Sequence, residues 1–224
     1  MTTFFITGID TDIGKTMATG ALAHYGVEAG RNLITVKLVQ TGCTGAAEDL
    51  LRHRELMGGA SFPEDASGET APQIFAFPAS PHLAARLENR TVNLDRIRSA
   101  IARLEKKYDL VLVEGAGGLA VPLVEDLLTI DFVREQRWPV ILVTSGRLGS
   151  LNTTILAIEA ISTRRMRIAG TIYNEYPPAD PVISADSLRM MKKYLRKYGQ
   201  NDTIIPLPPL ENRQQAVDFG AILK

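Results

Sequence analysis

Short apolar runs rich in β-branched and aromatic residues alternate along this chain with longer segments of helical periodicity. Several of the short runs are apolar throughout, as expected of strands that are covered on both faces. The predicted strands are Thr3–Thr7, Leu33–Lys37, Leu110–Glu114, Val140–Thr144, Ile168–Tyr173 and Thr203–Ile205. Strands that alternate with helices in this way form parallel sheets through crossover connections, so the pattern predicts an α/β fold with a mostly parallel sheet.

Between and after the strands, apolar residues recur at helical spacing. The predicted helices are Lys15–Ala29, Asp49–Met57, Leu94–Lys107, Thr129–Gln136, Leu151–Thr163 and Asp186–Tyr198. Gly30 is placed to end the first helix, because glycine readily adopts the left-handed conformation that follows many helices. Residues 58–81 are rich in Gly, Pro and Ser and lack periodicity, which indicates an extended surface excursion rather than a second domain. We therefore expect one domain over residues 1–224.

The amino-acid composition limits which partners, cross-links and locations are expected. Lys plus Arg and Asp plus Glu each number 25, so the formal net charge is zero and no overall basic field would attract nucleic acid or anionic lipid. Cys43 is the only cysteine, which excludes an intramolecular disulfide and a thiolate metal cluster within one chain. The sequence has no leader-like start and no apolar run of roughly 18 residues. We expect a cytoplasmic protein with no nucleic-acid or membrane partner.

The strongest chemical signal is the segment Gly8-Ile9-Asp10-Thr11-Asp12-Ile13-Gly14-Lys15-Thr16, between the first predicted strand and the first predicted helix. This placement is typical of a P-loop. The backbone N–H groups of such a loop surround phosphate oxygens, the Lys15 ammonium neutralises charge, and the Thr16 hydroxyl can ligate Mg²⁺. Five residues rather than the usual four separate Gly8 from Gly14, which narrows the class. An ordinary strand-to-helix turn is the weaker alternative, so we expect nucleotide binding by a P-loop-containing three-layer α/β/α fold.

A second glycine-rich segment, Glu114-Gly115-Ala116-Gly117-Gly118, follows an apolar predicted strand. Open α/β sheets bind ligands beyond the carboxyl ends of their strands, which is where this segment lies. Glu114 could bind Mg²⁺ directly or through water, in the acidic role that an Asp has in many P-loop enzymes. The alternative is a solvated acid before a flexible turn, and we favour the metal role.

Four segments together carry a resemblance to a known family. They are Thr7-Gly8-Ile9-Asp10-Thr11-Asp12-Ile13-Gly14-Lys15-Thr16, Lys37-Leu38-Val39-Gln40-Thr41-Gly42, Val113-Glu114-Gly115-Ala116-Gly117-Gly118 and Gly146-Arg147-Leu148-Gly149-Ser150-Leu151-Asn152. In this order they closely resemble the dethiobiotin synthases, and the resemblance runs from the first strand to the region of Pro206. No single segment is decisive, but the modified P-loop combined with the other three is highly specific.

The resemblance implies the penultimate step of biotin synthesis, in which 7,8-diaminononanoate, CO₂ and ATP give dethiobiotin, ADP and phosphate. In the family, a substrate amine becomes a carbamate, the γ-phosphoryl group of ATP activates it as a carbamic-phosphoric anhydride, and the second amine closes the cyclic urea. This implies a cyclo-ligase that forms carbon–nitrogen bonds, with ATP as co-substrate and Mg²⁺ as cofactor. Because no protein nucleophile is needed, catalysis would rest on positioning and charge stabilisation.

By the same resemblance, the catalytic residues are Lys15, Lys37 and Thr11. Lys15 serves the phosphates and Lys37 serves the carbamate and the transferred group, although a lone lysine at a strand end would more often be a surface residue. Asp49 matches the family's metal-binding aspartate, with Glu48 beside it as the alternative ligand. The implied metal ligands are Thr16, Asp49 and Glu114.

The resemblance also implies the nucleotide-binding residues. They are Asp12, Ile13, Gly14, Lys15, Thr16, Met17, Asp49, Glu114, Gly115, Ala116, Gly117, Asn174, Pro206, Leu207, Pro208 and Glu211. The amide of Asn174 would read the adenine edge because it can donate and accept hydrogen bonds at once. A strand-terminating asparagine is its alternative reading. The prolines would pack beside the base, with Glu211 near the ribose or adenine.

The substrate-binding residues implied by the resemblance are Thr41, Gly117, Gly118, Pro81, Leu148, Gly149, Ser150 and Asn152. In the family, the segment that corresponds to 146–152 contacts a second subunit, where the start of a helix receives the substrate carboxylate. This implies a homodimer with a shared active site. Without the resemblance, the same segment is typical of a loop and a helix N-cap, with Ser150 or Asn152 as the capping residue.

Other readings of the sequence are weaker. Partitioning ATPases carry a second lysine at the position of Asp10, and the amidotransferring synthases of cobalamin biosynthesis need a further glutaminase domain. A nucleotide-binding regulatory module stays open as an alternative, although binding alone would not require Lys37. His53, four residues after Asp49, is interpreted as a surface or packing residue.

Overall fold

A parallel sheet forms the centre of the protein, whose computed structural model describes residues 1–59, 61–210 and 217–223. The strands are β1 (Thr2–Gly8), β2 (Leu33–Lys37), β3 (Gln40–Thr41), β4 (Ile74–Phe75), β5 (Leu110–Gly118), β6 (Pro122–Val124), β7 (Leu127–Leu128), β8 (Val140–Ser145), β9 (Ile168–Asn174) and β10 (Ile204–Leu207). The helices are α1 (Lys15–Glu28), α2 (Glu48–Leu56), α3 (Pro63–Ala66), α4 (Pro81–Leu87), α5 (Leu94–Lys107), α6 (Thr129–Gln136), α7 (Ser150–Thr163) and α8 (Pro181–Lys197).

The main sheet has six strands in the order β10-β9-β8-β1-β5-β2, and every neighbouring pair is parallel. β1 lies inside the sheet between β5 and β8. After β1 the chain forms β2 and β5 on one side of it, and then β8, β9 and β10 on the other side, so the strand order reverses at β1. Ligands bind at such a reversal of strand order, beyond the carboxyl ends of the strands. The loop after β1 occupies this position. β10 forms one edge of the sheet, where Pro206 is exposed.

Apolar side chains alternate between the two faces of the sheet and build a core on each. Phe5 of β1 faces the core that includes side chains of α5, α6, α7 and α8, whereas Phe4 and Ile6 face the core that includes α1 and residues near the C-terminus. The observed sheet and its flanking helices confirm the predicted α/β/α architecture. Each predicted strand and helix is present, with ends that differ by a few residues.

The prediction of a surface excursion over residues 58–81 is wrong in its middle part. The carbonyl oxygens of Thr70 and Gln73 accept hydrogen bonds from the backbone N–H groups of Lys37 (2.8 Å) and Gln40 (2.9 Å). Phe75 is fully buried. The segment therefore pairs with the end of the edge strand β2 and with β3, whose backbone donors require partners. The short elements α3 and β4 are too brief to produce a periodic signal.

Several element boundaries follow from capping. α8 begins at Pro181, five residues before its predicted start at Asp186, because the Asp180 side chain accepts hydrogen bonds from the N–H groups of Val182 and Ile183. Gly30 has a φ of 71° and follows α1, which confirms its predicted role. Within the described residues, no helix is long and apolar enough to cross a membrane.

Candidate active site

The loop between β1 and α1 brings a lysine and a helix N-terminus to the carboxyl edge of the sheet. Gly14 has a φ of 95° and is the N-cap of α1, so Lys15 is its first residue. The Lys15 ammonium donates to the carbonyl oxygen of Asp10 at 2.9 Å. Burial and the nearby charge of Lys37 hold the pKa of Lys15 below its ordinary value of 10.5. An anion bound here would offset both unfavourable effects, as expected of a phosphate site.

Glu114 is a fully buried acid in β5. The parallel pairing of β2 with β5 places Lys37 opposite Glu114, and the ammonium lies 2.7 Å from Oε1. The other carboxylate oxygen, Oε2, lies 2.8 Å from Nε2 of His53. Burial alone would raise the pKa of Glu114, but the charge of Lys37 and the hydrogen bond from His53 outweigh burial and lower it. Glu114 is therefore an ionised carboxylate in a dry environment.

Lys37 is paired with two carboxylates. Its ammonium lies 2.5 Å from Oδ2 of Asp49 and 2.7 Å from Oε1 of Glu114, and it also donates to the carbonyl oxygen of Gly115 at 3.1 Å. Burial alone would lower the pKa of Lys37, but the charges of Glu114 and Asp49 outweigh burial and hold it above 10.5. The site thus keeps Lys37 charged although its side chain is buried.

The oxygen atoms of Thr16, Asp49 and Glu114 converge. The Thr16 hydroxyl lies 2.7 Å from Oδ1 of Asp49 and 3.1 Å from Oε1 of Glu114. Hard oxygen ligands that include one or two carboxylates are what Mg²⁺ prefers when it also binds phosphates, so these side chains fit that ion. In the described residues, no cluster of three or more His, Cys, Asp or Glu side chains forms a metal site. A bound Mg²⁺ would therefore depend on the hydroxyl and on phosphate oxygens as well as on the carboxylates.

Asp49 rather than Glu48 faces this site. Both residues lie in the first turn of α2, but Asp49 contacts Thr16 and Lys37 whereas Glu48 is exposed. The backbone N–H of Asp49 also faces the side-chain oxygen of Gln40 at 3.4 Å.

A cavity of about 460 Å³ lies above these groups, a volume suited to a small-molecule ligand. Its walls are formed by Thr11, Asp12, Gly14, Lys15, Thr16, Met17, Lys37, Gln40, Thr41, Asp49, Glu114, Ala116 and Gly117. Apart from Gln40, each of these residues was among the sequence-based site predictions. The structure therefore brings together residues from four separate parts of the chain.

Asn174, at the end of β9, packs against the phosphate loop. Its side-chain nitrogen donates to the carbonyl oxygen of Ile13 at 3.0 Å, and its side-chain oxygen accepts from the backbone N–H of Tyr176 at 3.1 Å. Both ends of the amide therefore have protein partners. Asn174 is placed beside the loop that the resemblance assigns to the nucleotide.

Other predicted site residues lie outside the walls of this cavity. They are Ile13, Gly115, Gly118, Pro81, Leu148, Gly149, Ser150, Asn152, Pro206, Leu207 and Pro208. Pro81 is buried at the start of α4, and Leu148 is 94% exposed. The prediction that falls on Glu211 lies outside the described residues.

The start of α7 corrects one expectation. Its N-cap is Gly149, which has a φ of 91° and no side chain with which to cap, so the prediction of a Ser150 or Asn152 cap is wrong. The Ser150 hydroxyl instead pairs with the hydroxyl of Ser145 at 3.1 Å. The first turn of α7 therefore has backbone N–H groups without a side-chain cap, and Asn152 is exposed.

His53 and Gln40 are the site residues that sequence reasoning missed. Of the two interpretations of His53, as a surface or a packing residue, the surface one is wrong, because the imidazole is fully buried and contacts Glu114. The available signal was its spacing: Asp49 and His53 are four residues apart and share one face of α2. Cys43 is buried and donates weakly to the carbonyl oxygen of Ala46.

Comparisons with known proteins extend these observations. A family model described as an AAA domain matches residues 2–215. The chain is 50% identical over 198 residues to ATP-dependent dethiobiotin synthetase BioD 2 of Pasteurella multocida, which covers 88% of this chain and 93% of that protein. It is 47% identical over 194 residues to ATP-dependent dethiobiotin synthetase BioD of Chlorobaculum tepidum, covering 87% and 81%, respectively.

Solved structures support the fold alone. The cell division protein FtsY of Thermotoga maritima superimposes with a TM-score of 0.53 at 18% identity, over 99% of this chain and 67% of that one. The high identity to the two synthetases over most of their length is the stronger finding. This chain belongs to the family of ATP-dependent dethiobiotin synthetases.

Proposed function

We propose that this protein is an ATP- and Mg²⁺-dependent ligase that converts 7,8-diaminononanoate and CO₂ to dethiobiotin. One observation carries the chemistry: the buried Lys37 ammonium lies within 2.7 Å of both Asp49 and Glu114, beside the phosphate loop. A cation held there can stabilise charge on a transferring phosphoryl group. The names of the relatives supply ATP as a substrate and dethiobiotin as the product, and the diamine and CO₂ follow from the family resemblance.

The proposed reaction forms two carbon–nitrogen bonds at the expense of one ATP. A substrate amine attacks CO₂ and loses a proton to give a carbamate. A carbamate oxygen then takes the γ-phosphoryl group, which releases ADP and gives a carbamic-phosphoric anhydride. The second amine attacks the carbonyl carbon, loses a proton and expels phosphate, which closes the cyclic urea.

In this mechanism the protein binds and orients the reactants and supplies positive charge. Lys15 and the N–H groups at the start of α1 hold the phosphates, while Lys37 faces the carbamate and the group in transfer. The hydroxyls of Thr11 and Thr41, both in the cavity wall, contact the diamine or the carbamate. Mg²⁺, held by Thr16, Asp49 and Glu114, would neutralise charge on the phosphate oxygens. No covalent intermediate with the protein is required.

The substrate carboxylate and the adenine extend the site beyond the cavity. We assign the carboxylate to the start of α7, in residues 148–152 of a second copy of the chain. This helix begins after the N-cap Gly149 and has no side-chain cap, so its N-terminus can face an anion. We assign the adenine to Asn174 and the strand end at Pro206, Leu207 and Pro208. The active unit in this proposal is a cytoplasmic homodimer.

A regulatory module or a partitioning ATPase is the competing function. Purified protein with Mg²⁺ and bicarbonate should release phosphate from ATP when 7,8-diaminononanoate is added, and mass spectrometry should detect the cyclic urea. Phosphate release that does not depend on the diamine would favour the ATPase. Nucleotide binding without turnover would favour the regulatory module.

A further inference from the structure

We infer that His53 is a positioning residue that fixes the orientation of the Glu114 carboxylate toward the cation site. The inference rests on the proposed metal role of Glu114. It assigns no contact between His53 and substrate or nucleotide. Its basis is a chain of hydrogen bonds that runs from Asp65 in α3 to Glu114 at the centre of the site.

The imidazole of His53 is held at both nitrogens. Nε2 lies 2.8 Å from Oε2 of Glu114, and Nδ1 lies 3.1 Å from the hydroxyl oxygen of Thr35. All three side chains are fully buried. Buried polar groups need partners, and each of these contacts satisfies two of them.

Donor and acceptor chemistry sets the direction of the hydrogen bonds. Arg54 can only donate, so the hydroxyl of Thr35 accepts from it at 2.6 Å and has its own hydrogen left for Nδ1 of His53. The ionised carboxylate of Glu114 can only accept, so Nε2 carries the hydrogen. Arg54 is itself held by both oxygens of Asp65, at 2.7 and 2.8 Å. The network therefore assigns one order of donation: Arg54 to Thr35, Thr35 to His53 and His53 to Glu114.

This arrangement gives the two oxygens of Glu114 different tasks. Oε2 accepts from His53, which leaves Oε1 facing Lys37 and Thr16. The terminal torsion of a glutamate has broad preferences, so a carboxylate held through one oxygen alone could turn. The hydrogen bond from His53 removes that freedom. Partners that orient a ligating carboxylate typically contribute on the order of 10- to 100-fold in metal affinity.

The helix α2 contains both Asp49 and His53. Asp49 and His53 lie four residues apart on one helical face, so one points a carboxylate at Thr16 while the other orients Glu114. A single helix thus positions both carboxylates of the proposed cation site, one directly and one through His53.

Two amide substitutions at the same position provide a matched test. In His53→Gln, the side-chain nitrogen can reach the place of Nε2 and donate to Glu114, whereas the shorter side chain of His53→Asn cannot. Mn²⁺ affinity would be measured in the presence of ADP by electron paramagnetic resonance. We expect His53→Asn to weaken Mn²⁺ binding by roughly 10- to 100-fold, with His53→Gln within about threefold of the wild type.

Thermal unfolding separates positioning from a purely structural role. A structural role alone predicts that both variants lose thermal stability while the Mn²⁺ affinity stays unchanged, and that result would overturn the inference. An equal loss of Mn²⁺ affinity in both variants would also overturn it. Because the measurement needs no diamine, it is independent of ligase activity. A wild type that binds Mn²⁺ but makes no dethiobiotin would contradict the proposed function without affecting this comparison.

A second variant tests the other end of the network should His53→Asn fail to fold. Thr35→Val keeps the shape of the side chain and leaves His53 in place, but it removes the hydroxyl that holds Nδ1. We expect a loss of Mn²⁺ affinity in the same direction as for His53→Asn and smaller in size. An unchanged affinity in Thr35→Val would overturn the role of the network.

Discussion

The ammonium of Lys37 and the carboxylate of Asp49 form an ion pair with a separation of 2.5 Å. Lys37 is also paired with Glu114, so the proposed catalytic cation contacts both proposed carboxylate ligands of Mg²⁺. Any metal ion held by these carboxylates must therefore share them with Lys37. Metal binding and the charge that Lys37 can offer to a reacting group are expected to be coupled.

The variant Lys37→Gln tests the proposed catalytic role of Lys37. We expect turnover to fall by a factor on the order of 10² to 10³, as for the loss of one charge-stabilising donor, while ATP binding stays largely intact. The reason is that, in the proposed mechanism, Lys15 and the helix N-terminus capture the nucleotide, whereas Lys37 acts during transfer. Single-turnover kinetics and ATP titration would measure the two quantities. Equal losses in turnover and binding would contradict the assignment.

Mg²⁺ should also stabilise Lys37→Gln more than it stabilises the wild type. Removing the ammonium leaves Glu114 and Asp49 without their cationic partner, and breaking a buried pair in this way costs about 3–5 kcal/mol. A metal ion restores the missing charge. Unfolding temperatures with and without Mg²⁺ would show the difference, and an equal shift in both proteins would argue against a shared site.

Adjacent acids in α2 provide a test of the metal ligands. Asp49→Asn should raise the Mg²⁺ concentration needed for half-maximal rate, and Glu114→Gln should do the same. Glu48→Gln is the matched control, because this neighbouring acid is exposed. We expect an increase of roughly 10-fold or more for the first two variants and little change for the control. An unchanged Mg²⁺ titration in Glu114→Gln would remove that residue from the site.

Gly14 and Gly30 both have left-handed backbone conformations but differ in their surroundings. A Cβ at Gly14 would lie 2.4 Å from the side-chain nitrogen of Asn174, whereas no described atom lies within 4 Å of a Cβ at Gly30. Gly30→Ala should therefore cost only the backbone strain of about 1 kcal/mol. Gly14→Ala should in addition displace Asn174 and weaken ATP binding at least 10-fold. Similar ATP affinities for the two variants would contradict the proposed role of Asn174 in nucleotide binding.

A hydrogen bond remote from the site gives a prediction for pH. The hydroxyl of Tyr108 donates to the carboxylate of Glu64 at 3.0 Å, and burial together with this bond raises the pKa of Tyr108 to about 12. Because the folded-state pKa is raised, the stabilisation is fully present below the unfolded value of 10.0 and is lost as the pH rises through about 12. Tyr108→Phe should cost about 1–2 kcal/mol at neutral pH, and the difference in free energy of unfolding should shrink toward pH 12. Chemical denaturation at several pH values would measure it, and a constant difference would contradict the assignment.

Site residues could be predicted best from the sequence where they are adjacent in the chain. The P-loop residues are contiguous, and their place between a strand and a helix is visible from hydrophobic pattern alone. Lys37 and Glu114 each end an apolar run, and strands of a parallel sheet bring such ends together. These features could therefore be predicted before the structure was known.

The interactions that were missed depend on tertiary packing. His53 and Glu114 are separated by 61 positions in the sequence. The four-residue spacing of Asp49 and His53 places them on one face of α2, but only the folded structure shows that this face brings the imidazole to Glu114. Residues 70–75 have no regular pattern because they pair at isolated points with the end of β2 and with β3. The start of α7 was predicted from capping propensities, but the glycine conformation at position 149 determines it.

The position of Pro206 in β10 limits how two copies of this chain can associate. The carbonyl oxygens of Thr203 and Leu207 accept hydrogen bonds from the N–H groups of Thr171 in β9 and of Glu175 directly after it. By the alternation of the strand, the backbone nitrogen of Pro206 therefore faces away from β9. A proline nitrogen has no hydrogen to donate. A strand from another molecule that approached this edge would meet a gap in its hydrogen bonding, which disfavours growth of the sheet from one molecule into the next. In the proposed homodimer, the contacts are therefore expected at surfaces made by helices and loops, where side chains rather than backbone ladders decide the partner.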